Sequence, residues 1–582
     1  MEEENNNRRL LLAVGICFAV LLLWPLVTPR PPAPPAKPKP TEVASADAGV
    51  RAPSPPPAVA TSSTATGTTA VAAAPKVIEP KLYTFEGEVP FEGERVAYHV
   101  SVTNIGGGIE RFTLPTFKER SKDNRATDDP IRLANPTAAI EDDRAAVQGQ
   151  TASLSFGEGT SFRVPPRIRF EEVESGPDRV LYRHVTPEGV EIEREYRFQK
   201  DSFQVELAVT VRNRSAKEQS YELQVGNALV ATDAMKKGSG FLASFVPPPD
   251  HLQALCYADG SVERSDFQSL EGKAEEFNKG VRWVAVDRQY FLGALISRDG
   301  GEASCRLSAQ GDTAQAALIS PEVRLGPGEE RRHKLTAYFG VKKQSLLTLA
   351  DARLEEAVDF TVLGLDLTPL CNGLLWVLGL FFGWTGSWGV AIVGLTLMVK
   401  LVLFPLNQRS GKSMRAMAAL RPQMEALKEK YPDDRQRQSE EMMRLYREHN
   451  VNPAGGCLPI LIQMPIWFAL YRSLWVSVDL YQEGFLWIGD LTTRDPLWIL
   501  PVALIVVMFL QQKMTPTTMD PAQQKIMLYT MPLMFGGMMA ALPAGLSFYI
   551  LVNTLLTIVQ QHFINKSVGP IGGPPAVQEA RA

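Results

Sequence analysis

The 582-residue sequence is poor in the residues that build metal and redox centres. Its five cysteines (Cys17, Cys256, Cys305, Cys371 and Cys457) include no CxxC pair, which excludes a zinc ribbon or a thioredoxin-type motif. Six scattered histidines offer no His-based metal centre. A GxxxxGK[ST] run is absent, so neither a nucleotide loop nor any other cofactor site is expected. Charge of one sign is also lacking. Sixty Lys and Arg against 64 Asp and Glu leave a net charge of −4, which argues against a dedicated nucleic-acid binder. The mean hydropathy of −0.07 would suit a soluble protein. That average mixes three unlike parts: a proline-rich stretch, a polar region and long apolar runs.

Arg8 and Arg9 precede an apolar run from Leu10 to Val27, long enough to span a bilayer, and a basic flank favours a cytoplasmic amino terminus. No small-x-small cleavage site stands where a signal peptide would need one, so residues 1–28 read as an uncleaved anchor. Twelve prolines then fall between Pro29 and Pro75, and residues 29–77 read as an extended Pro/Ala-rich tether.

From 78 to 345 the period becomes two. Val96, Tyr98, Val100 and Val102 alternate with polar or small residues, as do Phe203, Val205, Leu207, Val209 and Val211. Such alternation marks half-buried strands, and 268 residues of it with little helical period predict one antiparallel sandwich outside the cytoplasm. The paired acids Glu171-Glu172 and Glu275-Glu276 point to opposite faces of a strand and make a poor acid/base couple. Cys256 and Cys305 lie where a disulfide is permitted, but the sequence leaves their pairing open.

The apolar stretch from Thr368 to Leu406 is divided at Gly383–Ser387. The part at 369–382 would be a helix of about 21 Å, too short for the ~30 Å hydrocarbon core, so 346–387 reads as a linker and an amphipathic interfacial helix. Residues 388–405 then span. Between 406 and 450 lie ten basic and seven acidic residues, the signature of a cytoplasmic segment. Met414, Met417, Leu420, Met424, Leu427 and Tyr431 form a helical stripe, and Tyr431–Asp434 breaks it. Residues 406–456 therefore read as a cytoplasmic helical hairpin. Four more spans are expected near 457–478, 496–512, 527–542 and 545–564, before a short tail at 565–582. The fold class is a polytopic α-helical membrane protein of six spans, with a five-helix core and a large antiparallel β-sandwich outside the membrane. Both termini are cytoplasmic on this reading, and 29–387 is periplasmic.

The run from Val451 to Ile466, VNPAGGCLPILIQMPI, resembles the signature of the YidC family of membrane protein insertases. So do Gln512–Thr517, the hairpin Pro543–Leu546 with Gln560-Gln561 and, more loosely, Trp283–Val286 with Tyr290-Phe291. The resemblance spans the whole length. It implies insertion and folding of nascent inner-membrane proteins, alone or with the Sec translocon (SecYEG, SecDF), without enzymatic activity. It implies a mutarotase-like fold for the β domain. The tail has few charges where many members carry a basic ribosome-contacting tail, which leaves the hairpin as the ribosome-docking candidate.

Lys400 in the second span is the ionisable group that calls for explanation. Five residues from Pro405, it can snorkel to the cytoplasmic interface. The resemblance implies instead the basic residue of a water-filled groove, with Lys where the family usually has Arg. Thr396, Gln463, Asn553, Thr557 and Gln560 are polar groups that would line such a groove. Met527, Met531, Met534 and Met538 recur at four, three and four residues, and thioethers repack readily around unlike helices. Met464, Trp467 and Tyr549 resemble positions used for client contact. The fifth span, at about 16 residues and ~24 Å, would thin the bilayer. Arg472 is expected to snorkel at the outer end. Two rivals remain: a secondary transporter, which predicts inverted repeats that 388–564 does not show, and a membrane-anchored carbohydrate-acting enzyme.

Overall fold

The computed structural model describes residues 78–91, 93–121, 125–134, 150–165, 168–235, 250–299, 303–350, 352–362, 364–432, 434–449, 451, 454–515 and 521–568. The anchor at 1–28, the tether at 29–77 and the end of the tail lie outside the described residues. The chain divides into two compact units, one of which holds the β domain up to Ala357, the other the helices from Val358 onward.

The β unit is antiparallel throughout its main sheets. Nine strands run in the spatial order 261–266, 252–258, 283–288, 291–297, 330–341, 204–213, 190–198, 179–185 and 171–175. A five-stranded sheet, in the order 274–277, 304–310, 313–319, 223–230 and 153–156, packs face to face on one half of it. Four sequential strands between Leu82 and Ala134 make a third sheet. The period-two residues all turn inward: Val96, Tyr98, Val100 and Val102 are buried, as are Phe203, Val205, Leu207, Val209 and Val211. The same alternation puts a charge inside. Arg194 shares the inner face with Ile192 and Tyr196, is fully buried, and donates to the carbonyls of Gly106 and Ala152.

A disulfide joins Cys256 of the nine-stranded sheet to Cys305 of the five-stranded one, clamping the sandwich across its core. Nearby, Arg288 is enclosed between two carboxylates. It bonds Glu119 through both terminal nitrogens at 2.9 and 2.8 Å, and Asp250 at 2.6 and 3.0 Å. Burial pushes the Asp250 carboxyl up, but the charge and hydrogen bonds of Arg288 outweigh it and hold the group below the ordinary carboxylate range. Asp287 follows the same logic, with burial opposed by Lys342 and His251. The acid pairs read from sequence are engaged structurally: Glu172 holds Lys81, Glu275 accepts from Ser265, and Glu276 pairs with Arg306.

A short helix of six residues, α1 (Gln344–Leu349), follows the last strand of the β unit. In the second unit α2 is Thr368–Thr385, α3 Trp388–Ala419, α4 Arg421–Lys430, α5 Arg435–Glu448, α6 Ala454–Val476, α7 Ile499–Met514, α8 Pro521–Met539 and α9 Ala544–Val568. Helix α3 packs on α2, α6 and α9, while α7 lies between α8 and α9. Three of these helices, α2, α3 and the 544–563 part of α9, are long and apolar enough to cross a membrane.

Two lengths differ from expectation. Helix α2 has 18 residues, about 27 Å, because it runs from Thr368 through the Gly383-Trp384 pair to Gly386, which ends it at φ 63°. Its exposed face carries Trp376, Leu380 and Trp384, so it is apolar on both sides rather than amphipathic. Helix α8 has 19 residues because polar Gln523, Gln524 and Lys525 belong to it, and the short helix is α7, with 16. The segment after Ala419 folds back on itself. Leu420, Met424 and Leu445 form a small core with Leu427, Met442, Tyr446 and Val451, and Asp434 caps α5 by accepting from the Arg437 amide at 3.0 Å.

Candidate functional site

Lys400 sits midway along α3, half-buried against α9. Its ammonium donates to the Thr557 hydroxyl at 2.8 Å. That hydroxyl sends its own proton to the Asn553 carbonyl at 2.7 Å, which leaves a lone pair turned toward the lysine. An ammonium has three donors and Thr557 accepts one. Among the described residues no carboxylate pairs with Lys400. The cation is therefore held by a neutral dipole, and its charge is left uncompensated.

The other expected groove residues divide. Asn553, Thr557 and Gln560 fall on one face of α9, all partly buried. Gln560 Nε2 is a buried donor with no partner in the described structure. Thr396, one turn from Lys400, is enclosed, and its hydroxyl proton is spent on the Ile392 carbonyl at 2.6 Å, so it offers no free donor. Gln463 is half-buried on α6.

The apolar candidates divide as well. Met464, Met527, Met531 and Met538 are exposed, and Met534 and Trp467 are half-buried. Trp467 stacks in a row with Tyr471 and Trp475, ring centroids 6.2 and 5.9 Å apart. Tyr549 is only 1 % exposed, so packing inside the bundle removes it from any contact surface. Arg472 does not snorkel: it bonds the Asp359 carbonyl and carboxylate at 2.7 and 2.8 Å, tying α6 to the segment before α2. Sequence reasoning missed this pair, since 113 residues separate its members. It also missed the contact between Gln561 and Thr515, in which the Gln561 amide donates at 3.0 Å and joins α9 to the end of α7.

A bundle of apolar helices with an unpaired cation among them, on a chain that also carries a separate antiparallel sandwich, defines an integral membrane protein with a large β domain. Comparison with known proteins narrows the class. Residues 380–570 match the family described as 60Kd inner membrane protein, and residues 94–376 match the YidC periplasmic domain. A membrane protein insertase YidC from Anaeromyxobacter dehalogenans (strain 2CP-1) is 35 % identical over 98 % of this chain and 99 % of its own. A solved active YidC insertase with its first transmembrane domain is 20 % identical, covering 82 % of this chain and 94 % of that one at a TM-score of 0.34. A galactose mutarotase-like protein from Lactobacillus casei is 10 % identical, covering 44 % of this chain and 100 % of that one at a TM-score of 0.30. The chain belongs to the YidC family of membrane protein insertases. Its function is membrane protein insertion, and it is an inner-membrane protein with a β-rich periplasmic domain.

Proposed function

We propose that Lys400, with Thr557, Asn553, Gln463 and Gln560, receives the polar flank of a client in a hydrated groove. Met464, Trp467, Met527, Met531, Met534 and Met538 then guide the client's apolar helix into lipid. The observation that carries this is the uncompensated ammonium on Thr557. An unpaired charge at membrane depth costs ~2.5–3.5 kcal/mol on insertion scales, and water in the groove or a client carboxylate relieves that cost. Coulomb attraction grows as the effective dielectric falls, so the same group draws acidic segments inward. Client partitioning supplies the free energy, since burying an apolar helix is itself favourable. The mechanism calls for no chemical step, and the protein acts as an insertase and chaperone rather than an enzyme.

Six crossings with both termini cytoplasmic fit the basic excess at 406–450 and the acidic loop at 479–495. The interfacial placement of α2 rests on this parity, because its 18 residues no longer exclude a crossing. The hairpin α4–α5 docks the ribosome, and the Sec translocon is a partner for part of the client set.

The test is a client series whose translocated tail runs from acidic to neutral, inserted into vesicles at matched insertase levels. Lys400→Arg retains insertion, Lys400→Ala impairs acidic tails selectively, and Lys400→Glu is worst. A Lys400→Ala defect that is absent, or that ignores tail charge, refutes the electrostatic role.

A further inference from the structure

The loop at 477–498, between α6 and α7, is fastened at several points. Phe485 rests on the backbone of Gly389 at the start of α3, where a Cβ would strike its ring, and its ring lies 5.1 Å from Phe548. The first amides of α9, from Ala544 and Gly545, donate to the carbonyls of Thr493 and Leu491 at 2.6 and 2.7 Å. Asp495 is buried and works inward. Its carboxylate accepts from the Leu500 amide at 2.6 Å, and from the Leu497 amide and the Trp487 indole at 3.1 Å each.

With Asp495 spent inside, the loop turns large apolar groups outward beside the exposed Glu483 and Arg494. Leu486, Leu497 and Trp498 are 71, 61 and 62 % exposed. Leu486 and Trp498 have φ of 56° and 59°, a left-handed backbone that bulky residues rarely adopt. Their outward aim is thus imposed by the fold. The patch is also continuous with a helix face: Trp498, Val502, Val506 and Leu510 are exposed at steps of four along α7. Helix α7, about 24 Å long, falls short of the ~30 Å hydrocarbon core.

We propose that Leu486, Leu497 and Trp498 form a wedge seated in the headgroup–acyl boundary, where α7 begins. This rests on the reading of α7 as a membrane span. The occupant is lipid, because the stripe runs unbroken from the lipid-facing side of that span into the loop. An indole suits the boundary, with its apolar body and polar edge. The wedge lengthens the apolar surface of α7 at this end alone.

The experiment uses the full chain in vesicles. Subtracting the tryptophan emission of Trp498→Phe from that of the unaltered protein isolates Trp498. We expect most of that emission to be lost when the phospholipid is brominated high on its acyl chain, and less when bromine lies near the chain end. Emission insensitive to brominated lipid overturns the proposal. Quenching by aqueous acrylamide instead would place the loop in water, and quenching by neither would mean that protein covers it. Client insertion is scored on the same vesicles. Lipid quenching without insertion would uphold the wedge and defeat the groove.

Discussion

Replacing Cys256 and Cys305 together by alanine should cost the β unit much of its stability. The bridge closes a loop of 49 residues, and the chain-entropy relation gives about 4 kcal/mol at 25 °C for a loop of that size. Both residues are buried between the sheets, so losing the sulfur atoms adds a packing cost. At roughly 2–4 °C per kcal/mol for a large domain, the melting temperature should fall by about 8–16 °C. The assay is thermal unfolding of the purified chain, followed by circular dichroism in the β region, with and without reductant. Reductant should bring the unaltered protein down toward the double variant and leave that variant unmoved. Thiol titration in denaturant provides an independent count: the bridge withholds two of the five cysteines until reductant is added. Five reactive thiols, or a double variant that melts with the unaltered protein, would refute the reasoning.

Arg288→Ala should lower the unfolding free energy by about 3–5 kcal/mol, read as a lower denaturant midpoint, because Glu119 and Asp250 lose the cation they enclose; Arg288→Lys should not restore it, lacking the fork that bonds both. A midpoint within error of the original would discount that cluster. Asp250 and Asp287 both titrate below the unfolded value of about 3.9, so their contribution is present above that pH and is lost as pH falls through their lower folded values. Unfolding midpoints measured from pH 7 to pH 2 should stay level at first and drop steeply below about 4; a midpoint that rises with acid would contradict this. Gly389→Ala should displace Phe485 and cost ~1–3 kcal/mol through overpacking, read as faster proteolysis within 477–498, and unchanged cleavage would show the ring is free to move.

What was legible in the sequence depended on how local the determining force is. Strand residues such as Val96 to Val102 could be read because one buried face imposes its period directly. The four methionines of α8 also recur at a helical period, but three of them are exposed and Met534 is half-buried, so burial is not what sets it. The Cys256–Cys305 bridge could not be read, since it depends on the distance between two sheets. Helix limits failed where apolar runs and hydrogen-bonded turns part company: the polar start of α8 is helical, and α2 continues past its glycines. Lys400 drew attention as a charge in an apolar run, but its partner Thr557 lies 157 residues away. Tyr549 was misjudged because packing, not composition, decides which face of α9 is covered.

Helix α3 has a mechanical consequence. Its 32 residues make a rod of about 48 Å, well beyond the ~30 Å that a bilayer core requires. The excess projects to the base of the α4–α5 pair, so one lever carries Lys400 on its inner arm and the hairpin at its outer tip. Pro405 lies between them and supplies no amide to the turn before it, which makes it the compliant joint of the rod. A compliant joint passes on only part of a bending load, so stiffness at residue 405 would set how much of a push on the hairpin reaches the ammonium.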